Sequence, residues 1–266
     1  FYIFYSMFGF QRIGDLAWAA GDSRSRGFLL GATAGRTTLN GEGLQHEDGH
    51  SHLLSATIPN CISYDPCFSY ELAVIIQNGL ERMIKNQEDV FYYITIMNEN
   101  YSHPEMPKNI SEDIIKGIYK YSESKASGPK VQLMGSGVIL REVIGAASIL
   151  EKDFNISSTI YSVTSFTEVR RNALDIQRWN MLNPDKTEKK SILDEIILDL
   201  ESPIITATDY MKSFAEQIAT FLPNKFISLG TDGFGRSDSR EALRDFFEVD
   251  RNHIVIAALK ALTEKQ

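Results

Sequence analysis

Short apolar segments of strand length alternate with amphipathic segments of helix length over residues 1–97, and the same alternation restarts at residue 130. In the first series, residues 1–5, 27–32, 62–64 and 90–97 read as strands. Residues 9–20, with Phe10, Ile13, Leu16 and Ala17 at helical spacing, and residues 68–85 read as helices. In the second, strands are predicted at 130–134, 159–164, 204–208 and 225–229, with helices at 140–152, 166–181, 190–200 and 210–221 and from Ser239 onward. Strands that are apolar throughout and separated by helices belong to parallel sheets covered on both faces. The fold class expected is therefore α/β, with two parallel or mixed sheet domains at 1–110 and 130–266. The segment between them, 111–129, holds a helix predicted at 111–123 and then a polar stretch, and it reads as the linker. The chain opens on Phe1 inside a strand pattern, without a preceding turn or cap, as expected for a piece of a longer polypeptide.

With 266 residues, 43% of them hydrophobic, there is material for two cores. A net charge of −8 and the lack of a basic stripe argue against a broad grip on nucleic acid, which needs clustered Lys and Arg. Cys61 and Cys67 stand without a second pair, so neither a zinc site nor a disulfide framework is indicated, and a reducing cytoplasm is the expected setting. Apolar runs are short or broken by charge, and neither a membrane span nor a signal peptide is expected.

The densest chemistry lies between Gly35 and His52, where His46, His50 and His52 share one stretch with Glu42, Glu47, Asp48 and four glycines. Imidazoles beside carboxylates suit proton transfer near neutral pH, and the glycines permit turns that let polar groups converge. The stretch is expected to be free of helix. His46-Glu47-Asp48-Gly49-His50 matches the zinc-hydrolase pattern only formally, because Gly49 inside it disfavours the helix that would put both histidines on one face. Gly135-Ser136-Gly137 lacks the third glycine of a dinucleotide fingerprint and reads as a tight strand-to-helix turn. The 230–238 run reads as structural or interfacial, with Asp232 pairing Arg236 and Ser239 capping the next helix. Tyr5 and Phe8 lie at a strand's end, where parallel sheets present binding residues. Phe8 could stack on a flat heterocycle and the Tyr5 hydroxyl could donate to a substrate, although core packing would also account for both.

Several long blocks together closely resemble the homodimeric bacterial pyruvate dehydrogenase family, the thiamine-diphosphate-dependent decarboxylating component. They are Phe4-Tyr5-Ser6-Met7-Phe8-Gly9-Phe10-Gln11-Arg12-Ile13-Gly14-Asp15, the whole of residues 35–52, Ser162-Val163-Thr164-Ser165-Phe166-Thr167-Glu168, Arg178-Trp179-Asn180-Met181-Leu182, Thr208-Asp209-Tyr210-Met211-Lys212 and residues 229–240. The resemblance implies a transketolase-like arrangement, with thiamine diphosphate between the pyrimidine-binding domain of one subunit and the diphosphate-binding domain of its partner. Residues 1–110 would be the later part of the pyrimidine-binding domain, and residues from about 128 onward the C-terminal domain. The Mg2+ ligands would lie in an amino-terminal domain outside this sequence, and no metal ligand is assigned here; Thr231-Asp232-Gly233 imitates only part of the family's metal motif.

Carried over residue by residue, the resemblance places Phe8 on the aminopyrimidine ring and Tyr5 and His46 toward pyruvate. Glu42 and Arg12 become supporting charges, and His52 a competing substrate ligand. The implied partners are pyruvate, the lipoyl domain of the dihydrolipoyl acetyltransferase component and a second copy of the chain. Two other readings stand beside this one. The piece could be inactive alone and serve in dimerisation and partner binding, or it could belong to another thiamine-dependent enzyme of transketolase type.

Overall fold

A computed structural model describes residues 1–263. The first sheet contains β1 (Tyr2–Phe4), β2 (Phe28–Ala32), β3 (Cys61–Tyr64) and β4 (Phe91–Ile96) in the order β1-β2-β4-β3, all parallel. The second contains β5 (Tyr119–Glu123), β6 (Lys130–Gly135), β7 (Ser157–Ser162), β8 (Ile204–Ala207) and β9 (Phe226–Leu229) in the order β5-β7-β6-β8-β9, parallel except for the antiparallel β5–β7 edge. The helices are α1 (Phe10–Asp22), α2 (Ser51–Ser55), α3 (Ser69–Leu80), α4 (Ser111–Lys116), α5 (Leu140–Phe154), α6 (Phe166–Leu182), α7 (Ile192–Ile196), α8 (Lys212–Glu216), α9 (Arg240–Phe246) and α10 (Arg251–Thr263).

Central strands are apolar on both faces because both faces are covered. In β4, Tyr92 and Ile94 enter one core with Phe28, Leu30 and Ile75, while Phe91 and Tyr93 enter another with Phe10 and Ala17. In β6, Leu133 packs toward α5 and α10, and Met134 toward α6 and α8. No helix among the described residues is long and apolar enough to cross a membrane.

Several expectations need correction. The 1–5 segment is a strand but is not buried: β1 is an edge strand, and Phe1, Tyr2 and Ile3 are all exposed. The expected helix at 111–123 ends at Lys116, where Gly117 turns left-handed (φ 103°), and the chain re-enters as β5. Part of the 111–129 linker is thus an edge of the second sheet, with Tyr119 opposite Ser162 of β7 and a register shift at Tyr121. The helices expected at 190–200 and 210–221 shorten to α7 and α8, the latter followed by a 3-10 turn. Ser239 caps α9 as expected, its Oγ accepting from the Ala242 amide at 3.3 Å. Asp232 instead accepts from the Lys212 amide at 3.0 Å, and Arg236 lies over Phe246, so those two do not pair.

Three buried carboxylates join the two sheet systems, each receiving hydroxyl donors across the junction. Asp65, after β3, accepts from Ser136 Oγ at 2.9 Å as well as from Thr95 Oγ1 at 2.7 Å. Glu71 in α3 accepts from Tyr119 Oη and Ser162 Oγ, both at 2.7 Å, and from the Cys67 and Phe68 amides. Asp209, after β8, accepts from the Thr37 amide at 2.8 Å, Thr37 Oγ1 at 2.7 Å and Thr38 Oγ1 at 2.6 Å. Burial pushes all three acids up from their ordinary values, Asp65 to about 7, while the donors oppose the shift.

Candidate active site

The chain leaves β1 at Tyr5 and makes one 3-10 turn, Ser6–Phe8, before α1. Gly9 permits this bend because a Cβ there would overlap the Phe4 ring, standing 2.6 Å from its Cζ. Tyr5 and Phe8 consequently stand side by side at the carboxyl end of the sheet, with ring centroids 5.9 Å apart. His46, closing a second 3-10 turn over Leu44–His46, stacks on Tyr5 at 5.1 Å and meets Phe8 edge-on at 4.9 Å. The Arg12 guanidinium from the first turn of α1 covers Phe8 at 3.8 Å from its centroid. Glu42 Oε2 lies 3.0 Å from His46 Nδ1. With Nδ1 engaged by Glu42, Nε2 is the nitrogen left for a ligand. Tyr5, Phe8, Arg12, Glu42 and His46 therefore form one cluster, and Tyr5 is 42% exposed.

The other loop histidines point elsewhere. His46 ends its 3-10 turn and His50 has non-helical backbone angles, so the two are not held as zinc-hydrolase ligands; His50 contacts Gln11. The loop is not wholly free of helix: α2 begins at Ser51, directly after a turn in which Asp48 accepts from the His50 and Ser51 amides at 3.1 and 3.0 Å. His52, on α2, is fully buried, stacked on Phe214 at 4.7 Å and edge-on to Tyr210 at 4.8 Å, with Nε2 3.0 Å from Thr95 Oγ1. Burial pushes its imidazole down to about 4, only partly offset by Asp48. His52 is thus a neutral core group, separate from the Tyr5–Phe8–His46 cluster.

Much of the glycine-rich block serves the junction. Gly35, at φ 88°, lies where a Cβ would be 2.8 Å from Asp209 Cγ, and Arg36 donates to the Thr231 carbonyl while Gly49 lies where a Cβ would be 2.7 Å from Arg36 Nε. Sequence reading did not pick out Asp209 or Thr231 as partners of this block. A local sequence signal for them does not exist, because they meet it only through tertiary contact.

Glu47, adjacent to His46, is 1% exposed, and neither carboxyl oxygen has a partner among the described residues. Desolvation, reinforced by Asp209, pushes its carboxyl up to about 8. The folded form therefore holds a proton that the unfolded chain releases near pH 4.5, and stability decreases as pH rises from about 4.5 through 8. Glu47→Gln should match the parent near pH 5 and be the more stable form above pH 8. Urea unfolding at the two pH values measures this, and parallel pH profiles would refute it.

The chemistry of the cluster suits a flat heterocycle: an aromatic ring, a part-exposed tyrosine and an imidazole lie in contact with one another. A diphosphate with its cation does not suit it equally well, since Glu42 is committed to His46 and Arg12 to Phe8. Asp245, Asp250 and His253 come within metal-ligand reach of one another, but at the start of α10, where Asp250 already accepts from the His253 amide and ring.

Comparison with known proteins agrees with the architecture. Residues 1–104 match the pyruvate dehydrogenase E1 component middle domain, and residues 117–250 match the transketolase-like TK C-terminal domain. Proteins named pyruvate dehydrogenase E1 component from Pseudomonas aeruginosa and Escherichia coli are 61% and 60% identical over 267 aligned residues. The match takes in 100% of this chain and 30% of each relative, so the chain spans under a third of their length. A transketolase from Campylobacter jejuni superposes with a TM-score of 0.73 at 17% identity, covering 97% of this chain and 35% of that one.

Proposed function

Because this chain belongs to the family of the bacterial pyruvate dehydrogenase E1 component, we propose that it supplies the substrate-facing part of a thiamine-diphosphate site. The reaction is oxidative decarboxylation of pyruvate, with reductive acetylation of the lipoyl group of the acetyltransferase component. We assign residues 1–110 to the pyrimidine-binding domain and the second sheet to the C-terminal domain, in a homodimeric cytoplasmic enzyme whose Mg2+ and diphosphate are held by polypeptide outside this chain.

The observation that carries this reading is the three-ring cluster with Glu42 on the inner nitrogen of His46. When bound, thiamine diphosphate supplies the carbanion stabilisation that loss of carbon dioxide from an oxoacid requires. Phe8 offers its ring to the aminopyrimidine and is itself steadied by Arg12. Tyr5 Oη donates toward the substrate oxygen on which negative charge builds. His46 Nε2 gives or takes a proton at the same oxygen, and Glu42 stabilises the imidazolium formed when Nε2 is protonated. His52, locked in the core, holds α2 against α8 and makes no substrate contact in this reading.

Phe8→Ala in the full-length enzyme should weaken thiamine diphosphate binding about tenfold, the equivalent of ~1.4 kcal/mol of lost stacking. Calorimetric titration with Mg2+ present measures it. An unaltered affinity would remove Phe8 from the cofactor site and, with it, the placement of the site at this cluster.

A further inference from the structure

We propose that the loop between β9 and α9 sets the position of His46, and that Gly235 is the positioning residue through which it does so. This inference rests on the reading of His46 as a substrate-facing group. His46 is bracketed by two residues that Gly235 touches. A Cβ built on Gly235 would overlap the Glu47 side chain, standing 2.7 Å from Cγ, and would also be 3.0 Å from the Leu44 carbonyl oxygen. Leu44 opens the 3-10 turn that His46 closes, and the Glu47 amide bonds back to the Leu44 carbonyl at 3.3 Å. The turn and the glycine therefore meet backbone to side chain without space to spare.

The Glu47 side chain makes no hydrogen bond through which its position would be fixed among the described residues, and its stem meets the loop by packing. Its carboxyl oxygens are buried and make no hydrogen bond among the described residues, so its polar end does not anchor it independently of what presses on its stem. The pressing loop, in contrast, is anchored at its β9 end. The Thr231 amide donates to the Tyr210 carbonyl at 2.8 Å, Thr231 Oγ1 to the Asp209 carbonyl at 2.9 Å, and Asp232 accepts from the Lys212 amide. The Gly41 amide then ties the histidine loop to the Asp238 carbonyl at 3.1 Å. A shift of this loop relative to the first sheet thus moves the imidazole, because close-packed atoms transmit displacement rather than absorb it.

The test uses the full-length enzyme with its cofactor, in three variants: Gly235→Ala, Glu47→Ala, and Gly235→Ala combined with Glu47→Gly, which adds a methyl on one side of the contact and removes the whole opposing side chain on the other. Imidazole NMR shifts of His46 over a pH series are read together with kcat and KM for pyruvate. Gly235→Ala should displace the His46 resonances and lower kcat on the order of 10²-fold with a smaller change in KM, as expected for a misplaced reacting group. The combined variant should return both toward the parent. His46 resonances unchanged in Gly235→Ala, or displaced equally in the combined variant, would overturn the proposal. If Gly235→Ala does not fold, Glu47→Ala decides, since His46 shifts identical to the parent there would overturn it as well. Failure of the function assignment is distinguishable: the resonances would still respond to Gly235 while His46→Ala left turnover intact.

Discussion

Replacement of His46 by alanine in the full-length enzyme should lower pyruvate turnover by about 10²- to 10⁴-fold, the range supplied by a positioned general acid or base. The fold should tolerate the change. His46 lies on a partly exposed 3-10 turn and loses ring contacts with Tyr5 and Phe8 worth about 1 kcal/mol. His46→Gln should lose turnover comparably, since an amide keeps the hydrogen-bonding capacity but cannot cycle a proton at neutral pH. Steady-state kinetics with matched thermal unfolding separates chemistry from stability. Turnover unchanged in both variants would take the imidazole out of the reaction, leaving the Tyr5 hydroxyl as the substrate-facing donor of the cluster.

Asp209→Ala should be among the most destabilising single substitutions in this chain, costing on the order of 3–5 kcal/mol. The carboxylate is completely buried and answers three donors at once: the Thr37 amide and hydroxyl at Oδ1 and the Thr38 hydroxyl at Oδ2. Alanine leaves those donors without an acceptor and opens a cavity at the junction beside Gly35. Asp209→Asn should fall between, because an amide oxygen at the Oδ1 position keeps two of the three bonds and the amide nitrogen cannot accept the third. Denaturant midpoints at constant pH give the order parent, Asn, Ala. A loss under about 1 kcal/mol for alanine would mean that the junction is held by apolar packing, with Asp209 merely accommodated.

The apolar patterning of this chain already contains the alternation of strand and helix, because a parallel strand covered on both faces must be apolar along its whole length and a helix against it must be apolar every three or four residues. That is why the segments at 27–32, 62–64 and 90–97 correspond to β2, β3 and β4. It is also why the pattern misleads at an edge: β1 is as apolar as the central strands but lies exposed. Helix ends were harder to read. Residues 117–123 read as the end of the helix expected at 111–123, yet a left-handed Gly117 and the pairing of Tyr119–Glu123 with β7 replace it with a strand, and pairing partners distant in sequence leave no local trace.

Among the site residues, the local sequence brought together Tyr5, Phe8 and Arg12, which one turn and the start of α1 suffice to gather, and Glu42 with His46, four residues apart. The meeting of those two groups, the removal of His52 into the core and the use of Thr37 and Thr38 as donors to Asp209 were decided only by tertiary structure. Residue type specifies what a side chain can donate, accept or stack upon; which group it meets depends on how two sheets joined by buried carboxylates bring loops more than 170 residues apart into contact.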